Sequence, residues 1–162
     1  MSDIYIICVE DELQVLDVIV KDLEPLEEVF PIEVAASADE ARKLIEEIRQ
    51  EGGRIGLAVC DHVMPGDSGV DLMVEMQKDP FTERTRKVLL TGQAGLDATI
   101  EAVNKARLNR YISKPWDPAQ LLDVAKEELT QFVIEQEKDL LPYMGVLDAS
   151  RLQEEIRARG YV

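Results

Sequence analysis

The stretch Leu57-Ala58-Val59-Cys60-Asp61-His62-Val63-Met64-Pro65-Gly66-Asp67-Ser68-Gly69 decides how this chain is read. Leu57 to Cys60 is a short, unbroken apolar run with the length and composition of a buried strand. It stops at Asp61, and Pro65, Gly66 and Gly69 then mark a tight loop before a helical pattern resumes. A carboxylate on a loop at the end of a buried strand adds nothing to a core. In open α/β sheets ligands bind beyond the carboxyl ends of the strands, so Asp61 reads as a site residue. Its plainer reading is a helix cap or turn aspartate.

Outward from this strand, apolar runs and helical stripes alternate. Ile4 to Val9 reads as a central parallel strand and ends in Glu10, Asp11 and Glu12. Leu13, Leu16, Ile19, Val20 and Leu23 then recur at helical spacing until Pro25. Pro31 to Ala36 predicts a second strand, and Ser37 with Glu40 a capping box for the helix whose stripe is Ala41, Leu44, Ile45 and Ile48. After Asp61, a helix from about Gly69 to Lys78 turns Val70, Met73, Val74 and Met76 inward. Val88 to Leu90 predicts a fourth strand ending in Thr91 and Gly92, and Leu96, Ile100, Val103 and Ala106 a helix after it. Tyr111 and Ile112 form a very short fifth strand leading into Ser113-Lys114-Pro115, and a last helix begins near Pro118. Five strands alternating with five helices imply an α/β fold, a parallel sheet covered on both faces.

Composition narrows the class of function. The 162 residues are 46% hydrophobic, enough for a real core, and their formal net charge of -15 argues against a nucleic-acid surface. No apolar run approaches the roughly 20 residues needed to cross a bilayer, and the start Met1-Ser2-Asp3-Ile4 lacks signal-peptide features, so a cytoplasmic protein without membrane insertion is expected. Cys8 and Cys60 fall within strand runs and read as buried, reduced thiols. No glycine-rich ATP loop is present, because Gly66-x-x-Gly69 lacks the spacing and the lysine.

The strand ends carry the chemistry. The first delivers Glu10 and Asp11, the third Asp61, the fourth Thr91 and the fifth Lys114, all toward one edge if the sheet is parallel. Clustered carboxylates raise one another's pKa unless a cation shares them, and oxygen-only ligation suits Mg2+. A divalent cation, an ammonium and a hydroxyl aimed at one carboxylate suit phosphoryl transfer, with Asp61 as nucleophile. Taken singly, each residue has an ordinary alternative: Glu10 and Asp11 as a helix start, Thr91 in a turn, Lys114 on the surface.

With Val9-Glu10-Asp11-Glu12, Asp61-x-x-Met64-Pro65-Gly66-x-x-Gly69, Leu90-Thr91-Gly92 and Ser113-Lys114-Pro115 in this order, the chain resembles the receiver domain of bacterial two-component response regulators. The resemblance implies a flavodoxin-like fold with strand order 2-1-3-4-5, a receiver over residues 1–130 and a helical extension over 131–162. It implies Asp61 as phosphoacceptor from a sensor histidine kinase or phosphotransfer protein. Glu10, Asp11, Asp61 and the Val63 backbone carbonyl would hold Mg2+, and Thr91 and Lys114 would contact the phosphoryl oxygens. A cis Lys114–Pro115 bond and a Thr91–Tyr111 switch are implied too, the switch altering the surface of the fourth helix, fifth strand and fifth helix for an output domain or partner. Val63 and Gln93 occupy positions that tune hydrolysis of the acyl phosphate. Val63 cannot hydrogen-bond the attacking water, so slow to moderate self-dephosphorylation is expected. His62 stands where an apolar residue is more usual and reads as a loop or half-buried histidine.

Two features lie beyond the core resemblance. The apolar stripe of the last helix, Leu121, Leu122, Ala125, Leu129, Phe132, Val133 and Leu140, continues for about twenty residues, more than a helix closing a small sheet needs. Either it serves as a coupling or homodimer element, with Leu122, Ala125, Leu129, Phe132 and Gln136 as the seam, or it folds back and the short helix of about Ala149 to Arg159 caps the receiver or seals a partner surface. A homodimer through this extended helix, or through the face of the fourth helix, fifth strand and fifth helix, is expected. Trp116 after the Ser-Lys-Pro resembles receivers of hydrogenase-type transcriptional regulators or cyclic-nucleotide signalling proteins, of which the chain would be an N-terminal piece. No helix-turn-helix pattern follows residue 130. The competing enzyme class, a phosphatase of the haloacid-dehalogenase kind, needs an acid where Val63 stands, so no turnover enzyme is expected. An unphosphorylated docking module is disfavoured by the intact acids, Thr91 and Lys114.

Overall fold

The computed structural model describes residues 3–62, 64, 68–92 and 102–160. Its elements are β1 (Ile4–Val9), α1 (Leu13–Leu23), β2 (Ile32–Ala35), α2 (Ala38–Gln50), β3 (Arg54–Asp61) and α3 (Gly69–Lys78). They continue with β4 (Arg86–Thr91), a π-helical turn labelled α4 (Ala102–Ala106), β5 (Arg110–Ser113), α5 (Pro118–Gln136) and α6 (Ala149–Ala158). The strands form one sheet in the order β2-β1-β3-β4-β5, every pair parallel.

Alternation along the strands splits the core into two layers. Ile4, Ile6, Cys8, Leu57, Val59, Val88 and Leu90 face α1 and α5, meeting Leu16, Ile19, Leu23, Leu121, Ala125 and Leu129. Ile7, Val9, Ile55, Ala58, Cys60 and Leu89 face α2 and α3, meeting Ala41, Ile45, Ile48, Val70 and Met73. Each such aliphatic side chain contributes about 1.5–3 kcal/mol on burial. Cys8 and Cys60 therefore lie on opposite faces of the sheet, both buried and free.

Several expectations are corrected. Leu13 leads the α1 stripe in sequence but is 66% exposed, because the buried face begins at Leu16. Val103 is 51% exposed, whereas Ala106 is buried; the π winding of α4 breaks the 3.6-residue spacing that paired them. Leu96 and Ile100 lie outside the described residues. Ser37 accepts from the Glu40 backbone N–H at 3.1 Å, but the Glu40 carboxylate accepts from Ala36 N–H (2.8 Å) instead of from Ser37 N–H, so the box is open by one residue. Leu140 is buried but is not helical: α5 stops at Gln136, and Glu137 is extended (φ -115, ψ 138).

The chain folds back after Glu137. Leu140, Tyr143, Leu147 and Leu152 enter the α1/α5 layer, and Tyr143 stacks on Phe30 with centroids 5.7 Å apart. Arg54 grips Glu137 through two bonds (3.1 and 2.8 Å), and Tyr143 OH donates to the same carboxylate at 2.8 Å. Burial raises the pKa of Glu137, but the bonds from Arg54 and Tyr143 outweigh it and hold the group below its ordinary value. Arg159 donates to the carbonyls of Ile134 (2.6 Å), Glu137 (2.9 Å) and Lys138 (3.1 Å), capping the end of α5. Ala125, Leu129 and Phe132 are thus committed to the chain's own core, leaving the half-buried Leu122 and exposed Gln136 of the heptad seam.

Candidate functional site

Parallel register brings the strand ends to one edge. Val9 pairs with Cys60, Asp61 with Leu90, and Thr91 with Ser113, so Glu10, Asp61, Thr91 and Lys114 emerge side by side. Backbone bonds continue the ladder past the strands: Glu10 N to Ala35 O (3.1 Å), His62 N to Leu90 O (3.1 Å) and Lys114 N to Thr91 O (2.9 Å). Helix α3 is capped at Ser68, which accepts from Asp71 N (3.1 Å) while Asp71 accepts from Ser68 N (3.4 Å). Gly69 opens α3 directly against β3: its N–H donates to His62 O at 3.1 Å, and an added Cβ would lie 2.9 Å from the Asp61 carbonyl carbon. Only glycine tolerates that approach.

Lys114 Nζ donates to Asp61 Oδ1 at 2.8 Å and to Glu10 Oε1 at 3.2 Å. Ligand oxygens of Glu10, Asp11 and Asp61 all lie within 4.8 Å of one another. Glu10, Asp61 and Thr91 are buried, and Asp11 is half-buried. Burial and then the Asp61 carboxylate push the Glu10 pKa up to about 7, against the pull of Lys114. Burial draws the Lys114 pKa down, but its bonds and charge attraction to Asp61 and Glu10 prevail, and the net shift is upward. One ammonium thus serves a cluster of three acids, a donor set of hard oxygens short of positive charge. The thiols of Cys8 and Cys60 point into the core, leaving sulfur out of it.

Thr91 Oγ1 donates to Gly92 O at 3.2 Å. The Lys114–Pro115 bond is cis. Tyr111 is 57% exposed on β5, outside the pocket. His62 is half-buried, and its Nδ1 is enclosed without a partner among the described residues. Val63 and Gln93 lie outside the described residues. The structure thus brings Glu10, Asp11, Asp61 and Lys114 together, with Thr91 on the adjoining strand end and Tyr111 apart. Beside Lys114 and Pro115 it adds a groove of about 550 Å³ toward α1, where Trp116 Nε1 donates to Asp22 Oδ2 at 2.8 Å. Asp22 is one of two acids on α1, and nothing in its spacing marks it.

The model of the response regulator receiver domain matches residues 6–126. The chain belongs to this family. Among curated proteins, the receiver is 32% identical over 122 residues to the hydrogenase transcriptional regulatory protein HoxA of Cupriavidus necator, covering 75% of this chain and 23% of that protein. HoxA of Bradyrhizobium diazoefficiens is 28% identical over 137 residues, covering 83% of this chain and 26% of its own length. The receiver thus spans about a quarter of these relatives. Among solved structures, a CheY-like receiver domain protein from Methanospirillum hungatei superposes with a TM-score of 0.70 at 30% identity, covering 83% of this chain and 99% of that one. A Rhodopirellula baltica structure described as adenylate cyclase shares the fold at 21% identity and a TM-score of 0.71, covering 86% and 96%. Among the described residues no helix is long and apolar enough to cross a membrane.

Proposed function

We propose that this receiver is a phosphorylation-activated switch, with Asp61 taking a phosphoryl group from the phosphohistidine of a sensor histidine kinase or phosphotransfer protein. The observation that carries the reading is the Lys114 ammonium at 2.8 Å from Asp61 Oδ1, with oxygens of Glu10 and Asp11 in the same pocket. An Asp61 oxygen attacks phosphorus as the P–N bond to the imidazole breaks and nitrogen keeps the electron pair. Lys114 then pairs with a phosphoryl oxygen from its present position on Asp61. The acidic, cation-poor donor set fits Mg2+ on Glu10, Asp11 and Asp61, with the Val63 backbone carbonyl added by family likeness. When bound, the ion supplies the charge that neutralises the transferring oxygens.

The Thr91 hydroxyl, now on the Gly92 carbonyl, turns to the phosphoryl oxygen, and the exposed Tyr111 ring moves into the space it leaves. The face of α4, β5 and α5 is thereby reshaped in a population shift biased by one local charge. The chain turns over no other substrate and hands its signal to an output domain or protein partner; the HoxA relatives support a transcriptional output. Incubated with Mg2+ and acetyl phosphate, the protein is expected to take up one base-labile phosphoryl group, and Asp61→Asn to take up none. Equal uptake by the variant, or turnover of general phosphoesters by the wild type, overturns the reading.

A further inference from the structure

At the opposite edge of the sheet, where β4 and β5 begin, a polar cavity of about 400 Å³ opens below the end of α3. Lys87 lines it. This lysine is only 1% exposed, and its ammonium donates to two neutral acceptors, Gln77 Oε1 (3.1 Å) and Thr85 O (3.0 Å). Among the described residues no carboxylate forms an ion pair with it. A buried charge without a counter-ion is costly, and desolvation draws the Lys87 pKa down to about 8. Among the described residues this ammonium makes those two bonds and no third.

Three further cations share the wall, and one of them, Arg86, is neutralised by Glu128 (2.9 Å) and Glu135 (3.4 Å). Arg84 and Arg107 are exposed guanidiniums with no ion pair among the described residues. Arg107 stands there with a left-handed backbone (φ 54), a conformation uncommon for a long side chain and concentrated at binding sites. Asn109 spends its amide oxygen on Lys87 N (2.7 Å) and Gln77 spends its own on Lys87 Nζ, so both NH2 groups are left to donate. Of the carboxylates on the rim, Glu135 is engaged by Arg86 at 3.4 Å, and Glu83 is exposed. In a chain of net charge -15, this is a cationic basin walled by hydrogen-bond donors.

We propose that the cavity binds a small phosphate-bearing anion, gripped by Lys87 and the guanidiniums of Arg84 and Arg107, with the amides of Gln77 and Asn109 completing the donor set. Guanidinium forks match phosphate oxygens in pairs, whereas the ammonium acts as a point charge, and the three together suit an anion of more than one negative charge. The volume admits pyrophosphate or a compact phosphorylated metabolite. Lys87 and Thr91 are separated by four residues of strand, about 13 Å, so this site is distinct from the Asp61 pocket.

Calorimetric titration with sodium pyrophosphate, at constant ionic strength and with EDTA present, tests the assignment. Saturable one-to-one binding is expected in the wild type and equally in Lys114→Ala, which removes the ammonium of the other site. Arg84→Ala and Arg107→Gly are each expected to weaken it roughly tenfold or more. Arg107→Gly also relieves the left-handed backbone, so its effect is not one of unfolding. In parallel, the Gln77 and Asn109 side-chain amide resonances are expected to shift on titration. Absence of saturation below about 10 mM, undiminished affinity in the two arginine variants, or loss of binding in Lys114→Ala overturns the proposal.

Discussion

Gly69→Ala sets two effects of opposite sign against each other. Glycine inside a helix costs about 0.5–1 kcal/mol relative to alanine, so propensity alone predicts a more stable protein. The new Cβ, however, would overlap the Asp61 carbonyl oxygen and lie 2.9 Å from its carbon and 3.4 Å from His62 Cα. Ordinary carbon–carbon contact is about 3.5 Å or more, so the first turn of α3 and the end of β3 must part by over half an ångström at the carbon and further at the oxygen. Backbone on both sides makes this a stiff contact, and overpacking of this kind costs about 1–3 kcal/mol, more than the propensity gain. The displacement falls on Asp61, the proposed phosphoacceptor, where a shift of about 1 Å costs on the order of 100-fold in rate. Urea denaturation should show Gly69→Ala less stable than wild type, and acetyl phosphate labelling should slow by about 100-fold. Gly145→Ala, where a Cβ meets nothing within 4 Å, is the control and should be neutral in both assays. A Gly69→Ala protein that is more stable and labels at the wild-type rate would refute the reasoning.

Lys114→Met leaves Glu10 and Asp61 without their shared donor and, in EDTA, should lower stability by about 1–3 kcal/mol, with Mg2+ recovering part of the loss; the check is urea midpoints with and without the ion. Glu137 has a depressed folded pKa, so its contribution is present above the unfolded value near 4.5 and fades as pH falls through the lower folded value. Glu137→Gln should therefore flatten the loss of stability between about pH 5 and 3, and an unchanged slope there would count against the Arg54–Glu137–Tyr143 cluster. Ending the chain after Gln136 removes four buried side chains, Leu140, Tyr143, Leu147 and Leu152, each worth about 1.5–3 kcal/mol. Cooperative thermal unfolding of that fragment should be lost or strongly lowered, and a wild-type Tm would disprove the role given to the tail.

The sheet and the edge where its strands end in polar residues were legible because they depend on local signals. Unbroken apolar runs that end abruptly in acids identify parallel strands, and parallel topology alone sends Glu10, Asp61, Thr91 and Lys114 to one edge. Features set by distant partners were not legible. The apolar run marks the third strand only from Leu57, yet β3 begins at Arg54 and runs through Gly56, where a Cβ would meet Ile4 at 2.6 Å and Leu129 at 3.0 Å. Lys87 in β4 contradicts a buried strand until Gln77 and Thr85 are seen to receive it. The α5 stripe keeps its period to Leu140, but Glu137 leaves the helix to meet Arg54, 83 residues away in sequence. The Ser68–Asp71 box, by contrast, is set by local Ser-x-x-Asp spacing alone.

Trp116 is the chain's single tryptophan, two residues after Lys114 and tethered to Asp22 of α1. Its fluorescence therefore comes from one place, where any adjustment of the Lys114–Pro115 turn changes the ring's distance to a quenching carboxylate. On the proposed switch the ring is a built-in optical gauge, and its emission is expected to change as the pocket fills, with no dye attached.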